Sequence, residues 1–143
     1  MLVNFIIGPP ASGKTSYLRA LQLQENSNKI LIIDDPTDFE KQIKPYLNQY
    51  DFIYIADPHL CIYSNLQNAI ELIKNNSKSA TFNFYLLNVP FYVLERNLLK
   101  RNQTNFRFIS TQSLRYFYNN FQDLLNTFKN NKILYTEINT HAV

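Results

Sequence analysis

The sequence predicts an α/β fold: a doubly wound, five-stranded parallel sheet flanked by helices, with a helical lid. Three observations predict it. Short apolar runs alternate with amphipathic stretches along the chain. The only two glycines, Gly8 and Gly13, stand together between the first run and the first amphipathic stretch. Aspartates close the second and third runs, at the carboxyl edge where an open parallel sheet meets its ligands. Strands that alternate with helices in this way form a parallel sheet with both faces covered.

The elements follow in order. Residues 2–7 form an almost continuous apolar run, as in a strand buried on both faces. Tyr17, Leu18 and Leu21 then recur at helical spacing. The second strand is expected over 29–34, the third over 52–57, the fourth over 81–89 and the fifth over 132–138. Between the second and third, Thr37 and Glu40 read as a capping box, with Phe39, Ile43 and Leu47 on one face and Pro45 ending the helix. Leu66, Ala69, Ile70 and Ile73 give the next helix its stripe, and Asn75-Asn76-Ser77 ends it. Two helices separate the last strands. One carries Leu94 and Leu98 and is expected to break at 102–105; the other carries Leu114, Phe117, Phe121, Leu124, Leu125 and Phe128.

At 143 residues the chain suits one domain, 1–143, with its lid at about 91–109. Hydrophobic residues are 45% and charged residues 17%, which excludes a disordered chain. A single cysteine, Cys61, excludes a disulfide framework and a cysteine-based zinc cluster. No apolar run reaches the ~18 residues of a membrane helix, and the N-terminus has no basic n-region, so a soluble, cytoplasmic protein is expected. The net charge of +3 is too slight to imply nucleic acid by itself. Heavy use of Asn, Ile, Lys and Tyr matches an AT-rich genome such as that of a phage or virus.

Gly8-Pro9-Pro10-Ala11-Ser12-Gly13-Lys14-Thr15 fits G-x-x-x-x-G-K-[ST], the Walker A phosphate loop, and Ser16 continues it into the helix. Such a loop turns its backbone N–H groups toward one point, where the helix N-terminus adds positive potential. Lys14 then reaches the β- and γ-phosphates and the Thr15 hydroxyl ligates Mg²⁺. A ligand-free turn would leave Lys14 without a purpose. The loop makes the predicted fold P-loop NTPase-like and names ATP as the ligand.

Asp34, Asp35 and Asp57 follow the second and third strands. Asp57, after Phe52-Ile53-Tyr54-Ile55-Ala56, has the form of a Walker B aspartate and is a candidate Mg²⁺ ligand. Pro58-His59 follows it with no glutamate to polarise water, which favours a kinase over a hydrolase. A kinase needs a base for an incoming hydroxyl, and Asp34 is available, with Asp35 its alternative. His59 reads as a loop residue, with contact to the acceptor as its alternative. The segment 96–107 carries Arg96, Lys100, Arg101 and Arg107 and no acid. Such a helix–loop–helix suits a lid whose guanidinium groups neutralise a transferring phosphoryl group, and grip on a nucleic-acid backbone is a further use for it.

These residues resemble the small P-loop kinases related to phage polynucleotide 5′-kinase. The resemblance is concentrated in Gly8 to Thr15, in Asp34 twenty residues after Lys14, and in Asn88-Val89-Pro90 with Leu94, Arg96-Asn97 and Lys100-Arg101. Leu114-Arg115-Tyr116-Phe117-Tyr118 is similar to the helix after that family's lid. The resemblance implies Lys14 and Thr15 at the phosphate and magnesium positions, Asp34 as general base and Arg101 as the lid arginine. The chain departs from the family at Thr37, where an acceptor-gripping Arg often stands, at Pro58-His59, and at Arg96, one residue off the first lid arginine. No appended phosphatase domain is expected.

The expected function is an ATP-dependent phosphotransferase. Mg²⁺ and ATP are its expected cofactor and donor, with Lys14, Asp34, Arg96 and Arg101 catalytic. The expected acceptor is a hydroxyl of a nucleoside, a nucleotide or a nucleic-acid 5′ end, with no membrane and no obligate protein partner. The competing expectations are an ATP-binding or hydrolysing regulatory module without an acceptor, and a nucleic-acid binding protein with a vestigial P-loop.

Overall fold

A computed structural model describes residues 1–24, 30–36, 38–104 and 109–139. Five strands, β1 (Leu2–Ile7), β2 (Ile30–Asp34), β3 (Phe52–Ala56), β4 (Thr81–Leu87) and β5 (Thr136–Ile138), form one sheet in the order β2-β3-β1-β4-β5. Every neighbouring pair is parallel. Five α-helices connect them: α1 (Lys14–Gln24), α2 (Phe39–Ile43), α3 (Tyr63–Asn76), α4 (Phe91–Thr104) and α5 (Thr111–Asn130). This is the P-loop NTPase-like α/β fold that the sequence predicts.

Strand alternation divides the core. Val3, Phe5 and Ile7 of β1 face one way and meet Leu66, Ala69 and Ile73 of α3 and Phe121, Leu124 and Phe128 of α5. Ile6 faces the other way with Tyr54, Ala56 and Leu87, where α1 covers them with Leu18. A third, smaller cluster joins α4 to α5 through Val93, Leu94, Leu98 and Leu114. The expected lid helix therefore has an apolar root of its own.

Several boundaries differ from expectation for local reasons. Lys29 and Thr37 lie outside the described residues, and α2 is capped by Asp38, whose carboxylate accepts from the Lys41 amide at 3.2 Å. Pro45 does end that helix, which passes into a 3-10 turn at Lys44–Tyr46. α4 runs past Asn102 and ends at Thr104, inside the expected 102–105 break, so Asn102 itself does not stop the helix. Asn102 instead clasps Ile109, donating to its carbonyl at 2.9 Å and accepting from its amide at 3.3 Å. β5 begins only at Thr136, because Lys132 adopts φ 56° and the Ile133 amide turns back to the Phe128 carbonyl at 3.0 Å. Among the described residues, no helix is long and apolar enough to cross a membrane.

Candidate functional site

The first strand delivers the glycine loop to the carboxyl edge of the sheet. Gly8 is needed for close approach: a Cβ there would lie 2.5 Å from the Ser12 Oγ and 3.1 Å from the Leu87 Cβ. Gly13 is needed for its backbone, which has φ +92° and open space where a side chain would stand. Between them Ala11 also takes a positive φ, 67°. Three of the loop's four central residues, Pro9, Pro10 and Ser12, are buried, and the Ser12 hydroxyl has no hydrogen-bond partner among the described residues.

A cavity of about 620 Å³ opens in front of the loop. Pro10, Ala11, Gly13, Lys14, Thr15 and Ser16 supply one wall. Asp34, Asp35 and Pro58 supply the sheet edge, and Asn97, Arg101 and Ile109 the side nearest α4. Its size lies within the usual range for small-molecule sites, about 300–1,000 Å³. The Lys14 ammonium donates to the Pro9 carbonyl at 2.8 Å. Burial pushes its pKa from 10.5 down to about 8, the nearby Arg101 guanidinium pushes the same way, and Cys61, Asp34 and Asp57 oppose it. Two cations from distant parts of the chain thus converge on one opening, an arrangement that suits a polyanion.

The Thr15 hydroxyl donates to the Asp34 carboxylate at 3.1 Å. The hydroxyl expected on magnesium and the carboxylate expected as general base are therefore neighbours. The Thr15 hydroxyl fits a hard cation such as Mg²⁺, which prefers oxygen ligands. Asp35 adopts φ 52° and its amide donates to the Ala56 carbonyl at 2.7 Å, which holds the turn after β2 against β3.

Asp57 acts on the Lys14 ammonium from nearby while its side chain is engaged at the turn after β3. It is 6% exposed and does not line the cavity that holds Thr15. It caps the 3-10 turn Pro58–Cys61, accepting from the His59 amide at 3.0 Å, and the same oxygen lies 2.9 Å from His59 Nδ1. The ligand atoms of Asp35, Asp57 and His59 lie within 4.8 Å of one another. The sequence offers His59 as an acceptor contact or a plain loop residue and does not show this grouping. Its signal was the Asp-Pro-x order, in which Asp caps a turn begun by Pro and draws the second following residue toward its carboxylate.

On α4 the structure separates the two expected arginines. Arg101 lines the cavity, whereas Arg96 is exposed and does not. Helical geometry explains the difference: position 97, four residues before 101, shares its face, while 96 is turned aside. Asn97, which the sequence singles out only as part of the lid resemblance and not as a site residue, lines the cavity and donates to the Ala11 carbonyl at 3.3 Å. Lys100 is exposed, and Arg107 lies outside the described residues. Arg115 stacks 3.5 Å above the Phe91 ring and ties the start of α5 to the start of α4. Cys61 is buried beside the loop, where burial raises its thiol to about 12 and keeps it inert.

No family model matches the chain, and no curated protein matches it. Solved structures do. The chain is similar to part of the Pnkp1/Rnl/Hen1 RNA repair complex, with a TM-score of 0.72 and 16% identity over 89% of this chain and 46% of that one. It spans about half the length of that neighbour. It is also similar to deoxyadenosine kinase from M. mycoides with bound dATP, with a TM-score of 0.58 and 12% identity over 100% of this chain and 92% of that one. At these identities the likeness is one of fold.

Proposed function

We propose that this chain is an ATP-dependent kinase. It moves the γ-phosphate of ATP onto a hydroxyl of a nucleoside, a nucleotide or a nucleic-acid 5′ end. The observation that carries the reading is the meeting of Lys14 and Arg101 in one cavity with the Thr15–Asp34 pair. The kinase-like fold of its structural neighbours supports it.

The start of α1 and the amides of the glycine loop bind the triphosphate. Lys14 leaves the Pro9 carbonyl for the β- and γ-oxygens. Thr15 would hold Mg²⁺, with Asp57 as a second ligand directly or through water, and the ion when bound would neutralise charge on the phosphates. The acceptor oxygen bonds to the γ-phosphorus as the bond to the bridging oxygen breaks, and ADP leaves with that electron pair. The acceptor's proton passes to Asp34, or to Asp35 if Asp34 stays committed to Thr15. Arg101 supplies planar donors to the equatorial oxygens. The lid, about 91–109, moves α4 toward the loop when donor and acceptor are both bound.

The test is labelled γ-phosphate ATP with nucleosides, nucleotides and 5′-hydroxyl oligonucleotides, each compared with no acceptor. Label on an acceptor hydroxyl supports the kinase. Release of inorganic phosphate alone, unaffected by any acceptor, would show an ATPase instead.

A further inference from the structure

We propose that a second cavity, across the Asp57-Pro58-His59 turn from the phosphate cavity, is the acceptor pocket, and that it takes an uncharged nucleoside rather than a ligand with phosphate beside its reacting hydroxyl. The assignment as acceptor pocket rests on the kinase reading. The choice of ligand class rests on the pocket's position, shape and charge.

The position is set by one turn. Pro58 lines the phosphate cavity, while its neighbours Asp57 and His59 line the second. Asp35 lines the phosphate cavity, yet its carboxylate lies within 4.8 Å of the ligand atoms of Asp57 and His59. A hydroxyl at this boundary would meet proton acceptors on its own side and the γ-phosphate on the other.

The shape suits a planar heterocycle. The cavity measures about 390 Å³, toward the lower end of the usual range for ligand sites. One face of α3 supplies Asn65, Asn68, Ala69 and Leu72, an i, i+3, i+4, i+7 set. Ala69 keeps that wall low, Leu72 closes its end, and Phe39 of α2 supplies an aromatic ring. Asn65 Nδ2 donates to the His59 carbonyl at 3.0 Å, which leaves Oδ1 as the acceptor it can offer. Asn68 brings both a donor and an acceptor. An aromatic face with two side-chain amides is the equipment that reads the edge of a base.

The charge selects against phosphate. The ionisable groups that line this cavity are Glu40, Asp57 and His59, and no Lys or Arg is among its lining residues. Lys44 reaches Glu40 at 3.7 Å but does not line the cavity. A phosphate placed here would lose water against two carboxylates without gaining a fixed cation. The contrast with the cavity that holds Lys14 and Arg101 is direct.

The test is calorimetric binding of nucleosides with each common base, their 3′-monophosphates and a short 5′-hydroxyl oligonucleotide, with and without a non-hydrolysable Mg·ATP analogue. At least one nucleoside is expected to bind about tenfold or more tightly than its own 3′-monophosphate. Asn68→Trp fills the pocket from an exposed position, so the fold tolerates it, and it should remove nucleoside binding while the ATP analogue still binds. Glu40→Lys should narrow the gap between nucleoside and monophosphate. Absence of nucleoside binding, tighter binding of the monophosphate or oligonucleotide, or indifference to Asn68→Trp would overturn the proposal. In those cases binding of the ATP analogue and transfer to another acceptor would leave the kinase reading standing. That reading fails separately if the analogue does not bind the parent.

Discussion

The two cavities on either side of the Asp57-Pro58-His59 turn are built in opposite ways. The phosphate cavity takes much of its wall from consecutive residues, with Gly13 to Ser16 in unbroken order. Its chemistry is backbone amides, a helix start and two cations. The second cavity gathers residues from α2, the turn after β3 and one face of α3, and its chemistry is amides, apolar walls and carboxylates. On the kinase reading proposed above, a triphosphate is the same in every such enzyme, so one contiguous loop can recognise it. An acceptor differs from enzyme to enzyme, so its pocket would be assembled from side chains that become neighbours only after folding.

The largest effect should come from removing the loop's cation. Lys14→Ala is expected to abolish Mg·ATP binding in calorimetry, with nucleoside binding and the circular dichroism of the fold retained. Loss of both ligands together would merge the two cavities into one cooperative site. Asp34→Asn comes next, since a positioned base contributes about 10²–10⁴-fold to rate. Single-turnover transfer should fall by that order. The larger loss in Asp35→Asn instead would move the base to the turn and free Asp34 for the magnesium side with Thr15.

Smaller effects test the loop as a structural object. Gly8→Ala forces a methyl against Ser12 and Leu87, and overpacking of this kind costs about 1–3 kcal/mol. Urea unfolding should show the loss, and adding Ser12→Ala should recover part of it by removing the clashing hydroxyl. A further effect, read as a pH dependence, concerns Lys14 itself. Its pKa is about 8 in the folded protein and 10.5 unperturbed, so between these values the unfolded chain binds more protons and stability rises with pH. Lys14→Met should therefore raise the thermal midpoint fully below pH 8, and the gain should fade toward pH 10.5. A gain independent of pH would show that the ammonium is not desolvated at its own expense.

The same contrast decides what was legible in the sequence. β1, the glycine loop and α1 are local: an apolar run, two glycines at positions where only glycine fits, and a helical stripe. Lys14, Thr15 and Asp34 were readable because motif and strand end fix them, and the structure brings all three to one cavity. Arg101 and Arg96 looked alike in a basic run, and only the helical phase of α4 separates them. Asp57 reads as a magnesium ligand because it ends an apolar strand, and it stands in a group of side chains able to hold a metal ion. Its partner is His59, chosen by the proline turn between them. The late start of β5 was hidden because Ile133 and Leu134 read as strand, whereas Lys132 first has to reverse the chain out of α5.

The central claim is that Lys14 from the loop and Arg101 from α4 hold one phosphoryl group between them during transfer. A transition-state arginine is worth on the order of 10³–10⁵ in turnover in such chemistry. Lysine keeps the charge and loses the planar fork. The direct measurement is single-turnover phosphoryl transfer at saturating ATP for the parent, Arg101→Lys and Arg101→Ala. The account predicts a deep loss in Arg101→Ala, partial recovery in Arg101→Lys and little change in ATP affinity for either. Equal rates in all three would contradict it.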